Sequence, residues 1–169
     1  MKIMYQDPHT VYVFDIDGVL LDVSERLKLA LQSNDFWRTF FRKDLLHLDK
    51  PRAKGIDILR DRAQRGLIAI VTGRPEFLRK ATIQQLRDLG VYDLVWRIYM
   101  RKRRDFRKTK IIKAEIVRQL IIEGFEIVEI HDDEIEVLSY VGKICPGAGL
   151  YLHRGNDVEV LRSYRKIRI

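Results

Sequence analysis

The sequence predicts an α/β fold: a parallel sheet of about five strands with helices on both faces, the three-layer doubly wound architecture. Apolar runs of strand length alternate with helical patterns, and each connection is long enough for a crossover. The 169 residues are 46% hydrophobic and 33% charged, which is typical of a globular chain with its own core. We therefore expect residues 1–169 to form a single domain.

The first predicted strand, residues 11–16, is a buried run of β-branched and aromatic side chains. Asp15 and Asp17 lie at its end, and Gly18 is the first residue free to break it. Acids two residues apart on a strand point to the same face unless the strand is already ending. Two such charges are tolerable when a cation lies between them or one is protonated. The segment is thus a candidate metal or acid–base site, and the alternative is a solvated Asp-Gly turn.

A helical insert is predicted next, around residues 22–50. Ser24 is a candidate N-cap for a helix over residues 24–32, and residues 33–35 can cap a second short helix. That second helix carries an aromatic stripe at helical spacing, which we interpret as a small flap or cap packed on the core rather than a ligand site. The insert is too short for a large cap domain.

The remaining elements follow from apolar periodicity and from Gly and Pro punctuation. They are a helix from Pro51 to about residue 65, strand 67–72, helix 75–89 closed by Gly90, strand 94–100, helix 109–123 stopped by Gly124, strand 126–131, helix 134–141, strand 148–153 and a final basic helix capped by Asn156.

Composition narrows the functional classes. A net charge of +8 and a pI of about 9.7 favour a phosphate-bearing or otherwise acidic partner. No apolar run is long enough to cross a bilayer, and the first residues lack the apolar core of a signal peptide. The single cysteine, Cys145, excludes an internal disulfide and is compatible with a reducing compartment. We expect a cytoplasmic protein that does not enter membranes, and the oligomeric state stays open.

Polar side chains follow several of the predicted strands, at the points where functional groups gather in a parallel sheet. The first strand ends at the two acids described above, the second at Thr72 and the fourth at Asp132 and Asp133. The helix after the third strand offers Lys113 and, one turn earlier, Lys110. Acids, a hydroxyl and a lysine are therefore expected to converge on one rim of the sheet.

These residues, in this order and spacing, resemble the four motifs of the haloacid dehalogenase-like (HAD) phosphohydrolase superfamily, whose fold is Rossmann-like. The resemblance implies that Asp15 is the nucleophile, forming an aspartyl-phosphate, and that Asp17 is the general acid and then the general base. Thr72 would bind a phosphoryl oxygen, and Lys113, with Lys110 as the alternative, would neutralise the transferring group.

The resemblance also implies a Mg²⁺ site. The ligands would be Asp15, the backbone carbonyl of Asp17 and the acidic pair, with Asp133 as the principal ligand and Asp132 as the second. A hard cation with oxygen ligands suits this set of acids, and it offsets their mutual repulsion.

The segment from Met100 to Ile116 is similar to the corresponding stretch in the phosphatase domain of polynucleotide kinase–phosphatases. This similarity implies substrate-binding roles for residues that flank the catalytic motifs: Gly73, Arg74, Arg101 and Arg107. It departs from the family at Thr109, where an acid is usual, and the chain has no Gly-x-x-x-x-Gly-Lys-Ser/Thr run of a kinase half.

Two functions are therefore carried forward. The first is a Mg²⁺-dependent phosphatase, a hydrolase acting on phosphoric monoesters, whose phosphorylated substrate is a nucleic-acid end, including 3′-phosphate ends, or a nucleotide. The second is a non-catalytic HAD-like module that binds nucleic acid. The presence of both Asp15 and Asp17 favours the first.

Overall fold

The structure, a computed structural model, describes residues 7–167 of the chain. Its elements in chain order are β1 (Asp7–Phe14), β2 (Leu21–Asp22), α1 (Ser24–Leu31), α2 (Phe36–Phe40), β3 (Lys50–Pro51), α3 (Ala53–Ala63), β4 (Gly66–Pro75), α4 (Arg79–Asp88), β5 (Val95–Arg101), α5 (Thr109–Ile122), β6 (Glu126–Asp132), α6 (Ile135–Ile144), β7 (Gly149–Arg154) and β8 (Asp157–Arg162). Short 3₁₀ turns occupy Lys43–Leu48, Glu76–Leu78 and Tyr92–Leu94.

Six strands form one sheet in the order β5-β4-β1-β6-β7-β8. The first five of these are parallel, and β8 pairs antiparallel to β7. The chain builds outward from β1 to β4 and β5, then crosses to β6 on the other side of β1. The crossing makes the carboxyl end of β1 a topological switch point, the usual place for a ligand site in such a sheet.

The two faces of β1 are buried by different helices, which confirms the three-layer α/β prediction. Val11 and Val13 lie in a cluster with apolar residues of α5 and α6. Tyr12 and Phe14 alternate to the opposite face and pack with residues of α3 and α4. Asp15 has the parity of Val13, so it leaves the strand toward the α5 side.

The predicted helical insert does contain helices, but one local prediction within it and one directly after it are wrong. Ser24 is not an N-cap: Val23 occupies that position, and the Ser24 N–H donates to the Asp22 carboxylate at 2.9 Å. Pro51 does not begin a helix, because Lys50–Pro51 pairs antiparallel with Leu21–Asp22 and delays α3 to Ala53. Asp35 caps α2 as expected, accepting from the Arg38 N–H at 3.2 Å.

The predicted final helix after Asn156 is a strand instead. Gly155, at φ +57°, and Asn156 form a two-residue connection, since Arg154 pairs with Asp157 across the β7–β8 hairpin. A two-residue loop with a positive φ is the preferred hairpin turn. The segment Asp157–Arg162 then completes the sheet as its sixth strand, because the edge of β7 is open to pairing.

Gly55 generates a stability prediction. A Cβ at this helical position would lie 1.9 Å from the carbonyl oxygen of Val19, so α3 packs directly on the turn after β1. Gly→Ala inside a helix normally stabilises by up to about 1 kcal/mol. We expect Gly55→Ala to destabilise instead, by about 1–3 kcal/mol in urea unfolding, because of overpacking. Lys54→Ala, on the exposed face of α3, is the matched control and should stay within about 0.5 kcal/mol. A stabilised Gly55→Ala protein would contradict this packing.

Candidate active site

Asp15 and Lys113 meet in a buried ion pair at the carboxyl end of β1. The Lys113 ammonium lies 2.8 Å from Asp15 Oδ2 and 2.5 Å from Asp132 Oδ2. Both Asp15 and Lys113 are almost fully buried. The Asp15 backbone N–H donates to the His131 carbonyl at 3.0 Å, which fixes the end of β1 against β6. Of the two predicted lysines, Lys113 is the one that faces the acids, whereas Lys110 pairs with Glu136.

Three carboxylates gather around this lysine. Ligand oxygens of Asp15, Asp132 and Asp133 all lie within 4.8 Å of one another. Asp132 is buried, and Asp133 is exposed at the outer side of the cluster. Gly18 makes room for Asp133: it has φ +77°, and a Cβ there would lie 2.2 Å from Asp133 Oδ2.

The charge of the cluster fits a divalent cation. Three ionised carboxylates and one ammonium leave two uncompensated negative charges. Carboxylate oxygens are hard ligands of the kind that Mg²⁺ and similar cations take. The residues present therefore fit a divalent metal, and Asp15, Asp132 and Asp133 are those whose side chains could hold it.

The pKa values reflect this crowding. Loss of hydration raises the pKa of Asp15 to about 6, with Lys113 opposing and Asp132 reinforcing the rise. Although Asp133 is partly exposed, the protein around its carboxylate removes water, and the charges of Asp15 and Asp132 act in the same direction, so its pKa rises to about 8. Both shifts favour a cation in the cluster, because a cation would stabilise the charged forms.

The Asp17 side chain has different partners, so the two acids do not form one pair. β1 ends at Phe14, before Asp17, and the same-face geometry of a strand no longer applies. Asp17 Oδ1 accepts hydrogen bonds from Arg74 at 2.6 Å and from Arg26 at 2.9 Å. Burial pushes the pKa of Asp17 upward, but these two guanidinium groups outweigh it and hold the pKa below its usual value.

Arg26, Arg74, Asp17 and Asp49 form a buried quartet of balanced charge. Arg26 and Arg74 are fully buried, as is the Asp49 side chain. Asp49 accepts from Arg26 at 2.6 Å and 3.0 Å and from Arg74 at 3.3 Å. Arg26 also donates to the Phe40 carbonyl at 2.8 Å, which ties the helical insert to the acid.

The remaining predicted site residues lie on the same rim. Thr72 is buried, and its hydroxyl accepts from the Arg74 N–H at 3.2 Å, which leaves the hydroxyl hydrogen free to donate. Gly73 follows it, and its carbonyl accepts from Arg101 at 3.1 Å. Arg107 pairs with Asp105 and Glu115, and Arg74 is enclosed as described above. The three predicted substrate-binding arginines are thus engaged with the protein itself, and their substrate contacts remain a prediction.

Sequence reasoning missed three residues that support the site. Arg26 and Asp49 complete the buried quartet, and Arg52 donates to the Gly18 carbonyl at 2.8 Å. All three lie within or next to the insert, where the sequence pattern indicated only helices with charged and apolar residues. A buried arginine on a mostly exposed helix has no local signature, since its partners are distant in the chain.

Two surface cavities lie away from the acidic cluster. One of about 300 Å³ lies between β5 and α5, lined by residues such as Tyr99, Ile112 and Gln119. The other, of about 410 Å³, lies at the outer edge of β5, near Tyr92 and Arg97. Within residues 7–167, none of the helices has the length and apolarity that a membrane span requires.

Comparison with known proteins identifies relatives of the chain. The family described as "Polynucleotide kinase PNKP phosphatase domain" matches residues 9–144, which include every candidate site residue. A search of curated proteins finds no match.

Solved structures share the fold. A chain in the structure of a Pnkp1/Rnl/Hen1 complex superposes with a TM-score of 0.71 at 18% identity, covering 90% of this chain and 48% of that one. A chain in a second structure, of the Pnkp1/Rnl/Hen1 RNA repair complex, gives a TM-score of 0.68 at 18% identity, covering 89% of this chain and 45% of that one. A haloacid dehalogenase-like hydrolase from Streptococcus pneumoniae gives 0.61 at 13% identity, covering 83% and 82%. The chain spans about half the length of the first two.

Metal binding provides a test of the acidic cluster. We expect MgCl₂ to raise the unfolding temperature of the wild-type protein, because a ligand that binds only the folded state stabilises by about 2.7 kcal/mol at 100 times its Kd. Asp133→Asn should abolish most of this shift, and Asp57→Asn, on the exposed face of α3, should leave it intact. Equal Mg²⁺ shifts in the two variants, measured by thermal denaturation, would count against the site.

Proposed function

The chain belongs to the family of polynucleotide kinase PNKP phosphatase domains, and we propose that it is a Mg²⁺-dependent phosphatase that removes 3′-phosphates from nucleic-acid ends. The observation that carries the proposal is the buried Asp15, held by Lys113 beside Asp132 and Asp133 at the switch point of the sheet. In this arrangement Lys113 fixes one carboxylate oxygen of Asp15, and a divalent cation held by the three acids would supply the positive charge needed to receive a phosphate.

In the first step, a carboxylate oxygen of Asp15 attacks phosphorus as the bond to the leaving oxygen breaks, giving an aspartyl-phosphate. The leaving sugar oxygen takes a proton from Asp17. The negative charge of a bound phosphate raises the proton affinity of Asp17, which counteracts the lowering of its pKa by Arg74. Lys113 and the Thr72 hydroxyl stabilise the charge on the transferring group.

In the second step, water attacks the same phosphorus and gives its proton to the Asp17 carboxylate. The bond between phosphorus and Asp15 breaks, which releases inorganic phosphate and restores the free carboxylate. The ion pairs to Arg26 and Arg74 suit this step, because they keep Asp17 ionised and oriented.

The metal would be held by the carboxylates of Asp15, Asp132 and Asp133, with the backbone carbonyl of Asp17 as a further ligand. When bound, Mg²⁺ supplies positive charge that screens the nucleophile from the anionic phosphate. We assign the Asp17 side chain to proton transfer rather than to the metal, since two arginines already occupy it.

The family and the charge balance support a nucleic-acid substrate. The net charge of +8 attracts a polyanion, and two structural neighbours are chains of Pnkp1/Rnl/Hen1 complexes, one of them described as an RNA repair complex. A small insert rather than a large cap leaves the rim of the sheet accessible to a bulky chain end. The non-catalytic alternative leaves the buried Lys113–Asp15 pair without a role.

Asp15→Asn tests the reaction. We expect wild-type protein to hydrolyse p-nitrophenyl phosphate and 3′-phosphorylated oligonucleotides only with a divalent cation, and Asp15→Asn to lose at least about 10³-fold in kcat because it removes the nucleophile. Asp88→Asn, an acid at the surface of α4, is the control. Preference for 3′- over 5′-phosphorylated oligonucleotides is the test of the substrate. Unchanged release of phosphate by Asp15→Asn would refute the mechanism. If neither the wild-type protein nor Asp15→Asn hydrolyses these substrates and both bind oligonucleotides equally, the non-catalytic binding module would be favoured.

Arg26→Lys tests the buried quartet. Lysine keeps the charge but cannot bridge Asp17 and Asp49 with a planar fork, so we expect kcat to fall about 10- to 100-fold with a smaller change in KM. Arg62→Lys is a matched control, since Arg62 pairs with Glu129 and does not touch Asp17. The Arg62→Lys protein should be less stable than the wild type, and its kcat should be unchanged. Equal losses of kcat in both variants would show a general effect of destabilisation.

A further inference from the structure

The loop between β5 and α5, residues 102–108, presents an aromatic residue and several cations to solvent; we call it the basic loop. Phe106 is 92% exposed. Lys102, Arg103, Arg104 and Lys108 are also exposed, and none of the four forms an ion pair within residues 7–167. An exposed aromatic ring flanked by unpaired cations is the combination of side chains with which proteins bind single-stranded nucleic acid.

The loop is nevertheless firmly built. The Arg101 guanidinium donates to the carbonyls of Gly73, Asp105 and Arg107 at 3.1, 3.1 and 2.6 Å, and to the Thr109 hydroxyl at 3.0 Å. The Asp105 carboxylate accepts from both the backbone and the side chain of Arg107. The internal residues therefore hold the loop in one shape, and Phe106 is displayed by a fixed backbone.

The backbone of the loop also holds an unfavourable conformation. Arg104 has φ +63°, and within residues 7–167 it is the one residue other than glycine with a positive φ. Glycine would adopt this conformation without steric cost. A side chain retained in such a conformation is an indication that its chemistry is used.

The loop lies beside the proposed site. Arg101, which directly precedes the loop, donates a hydrogen bond to the Gly73 carbonyl. Thr109, which directly follows the loop, has its methyl carbon 3.1 Å from the position that a Cβ on Gly73 would take. Gly73 directly follows Thr72, and α5 carries Lys113 to Asp15 one turn after Thr109. Both ends of the basic loop therefore border the residues that would receive the phosphate.

We propose that the basic loop is a binding arm for single-stranded nucleic acid, in which Phe106 stacks on a base close to the reacting phosphate and the free cations contact the phosphodiester backbone. The inference rests on the proposed function and adds to it a preference for unpaired ends. Aromatic stacking with flanking cations is the chemistry by which proteins hold single strands. A base inside a duplex is already stacked on both faces, and a terminal base pair offers only its outer face, whereas each base of a single strand can be turned out to stack on Phe106.

The test is binding to the Asp15→Asn protein, which separates recognition from chemistry. The probe is a short 3′-phosphorylated single strand with a 5′ fluorophore, measured by fluorescence anisotropy with Mg²⁺. We expect Phe106→Ala to weaken binding about tenfold and Phe106→Trp to restore it. An abasic site at one of the three terminal nucleosides should cause the same loss, and no further loss should follow when it is combined with Phe106→Ala.

The controls lie on α5. Ile122 is 72% exposed and stands about 20 Å along the helix from Thr109, so Ile122→Ala removes similar apolar surface away from the site. Arg103→Ala should reduce the slope of log affinity against log salt by about 1, whereas Arg118→Ala on α5 should not. Equal effects of Phe106→Ala and Ile122→Ala, or affinity for a duplex that matches the single strand, would overturn the proposal.

Failure of the two proposals can be told apart. Phe106→Ala in the otherwise wild-type protein should lose more kcat/KM on 3′-phosphorylated oligonucleotides than on glycerol 2-phosphate, a phosphomonoester that has no aromatic ring to stack on Phe106. An unchanged efficiency on oligonucleotides would refute the arm and leave the phosphatase intact. Absence of any Asp15-dependent hydrolysis would refute the proposed phosphatase activity. The anisotropy measurements would still show whether the basic loop binds single-stranded nucleic acid through Phe106.

Discussion

Every acid at the carboxyl end of β1 needs a counter-charge, and the structure around it is arranged to supply one. Asp15 takes Lys113 from α5, and Asp17 takes Arg74 and Arg26 from the other side. Buried charges without partners would cost several kcal/mol each, so these pairs constrain where α1, β4 and α5 can lie. Asp132 and Asp133 add negative charge that Lys113 alone does not balance, and a bound cation would compensate it.

The helical insert is bound to the segment after β1 by the same ion pairs. Arg26 joins Asp17 to Asp49 and to the Phe40 carbonyl, and Gln85 of α4 donates to Asp49 and to the Leu46 carbonyl. The insert, the acid and α4 therefore form one hydrogen-bonded unit. Its position is set by buried charge, which demands defined geometry, more than by the apolar contacts of its aromatic residues.

The basic composition serves two purposes. Some arginines are internal braces: Arg26 and Arg74 hold Asp17, Arg101 holds the basic loop, and Arg162 donates to three backbone carbonyls near the start of β7. The exposed cations of the basic loop are available to partners. Net charge alone cannot distinguish these groups, because both contribute equally to the sum.

The sequence by itself determined the α/β class, the order of the strands along the chain and the motif positions, because apolar periodicity and glycine punctuation are local properties. It could not determine partners. Lys110 and Lys113 differ by about 4.5 Å along α5, and only the docking of that helix decides which one reaches Asp15. The partners of Asp17 and the conversion of Asp157–Arg162 into a strand likewise depend on contacts between distant segments. Tertiary structure decided these points because a buried charge or an open sheet edge is satisfied by whatever the fold brings beside it.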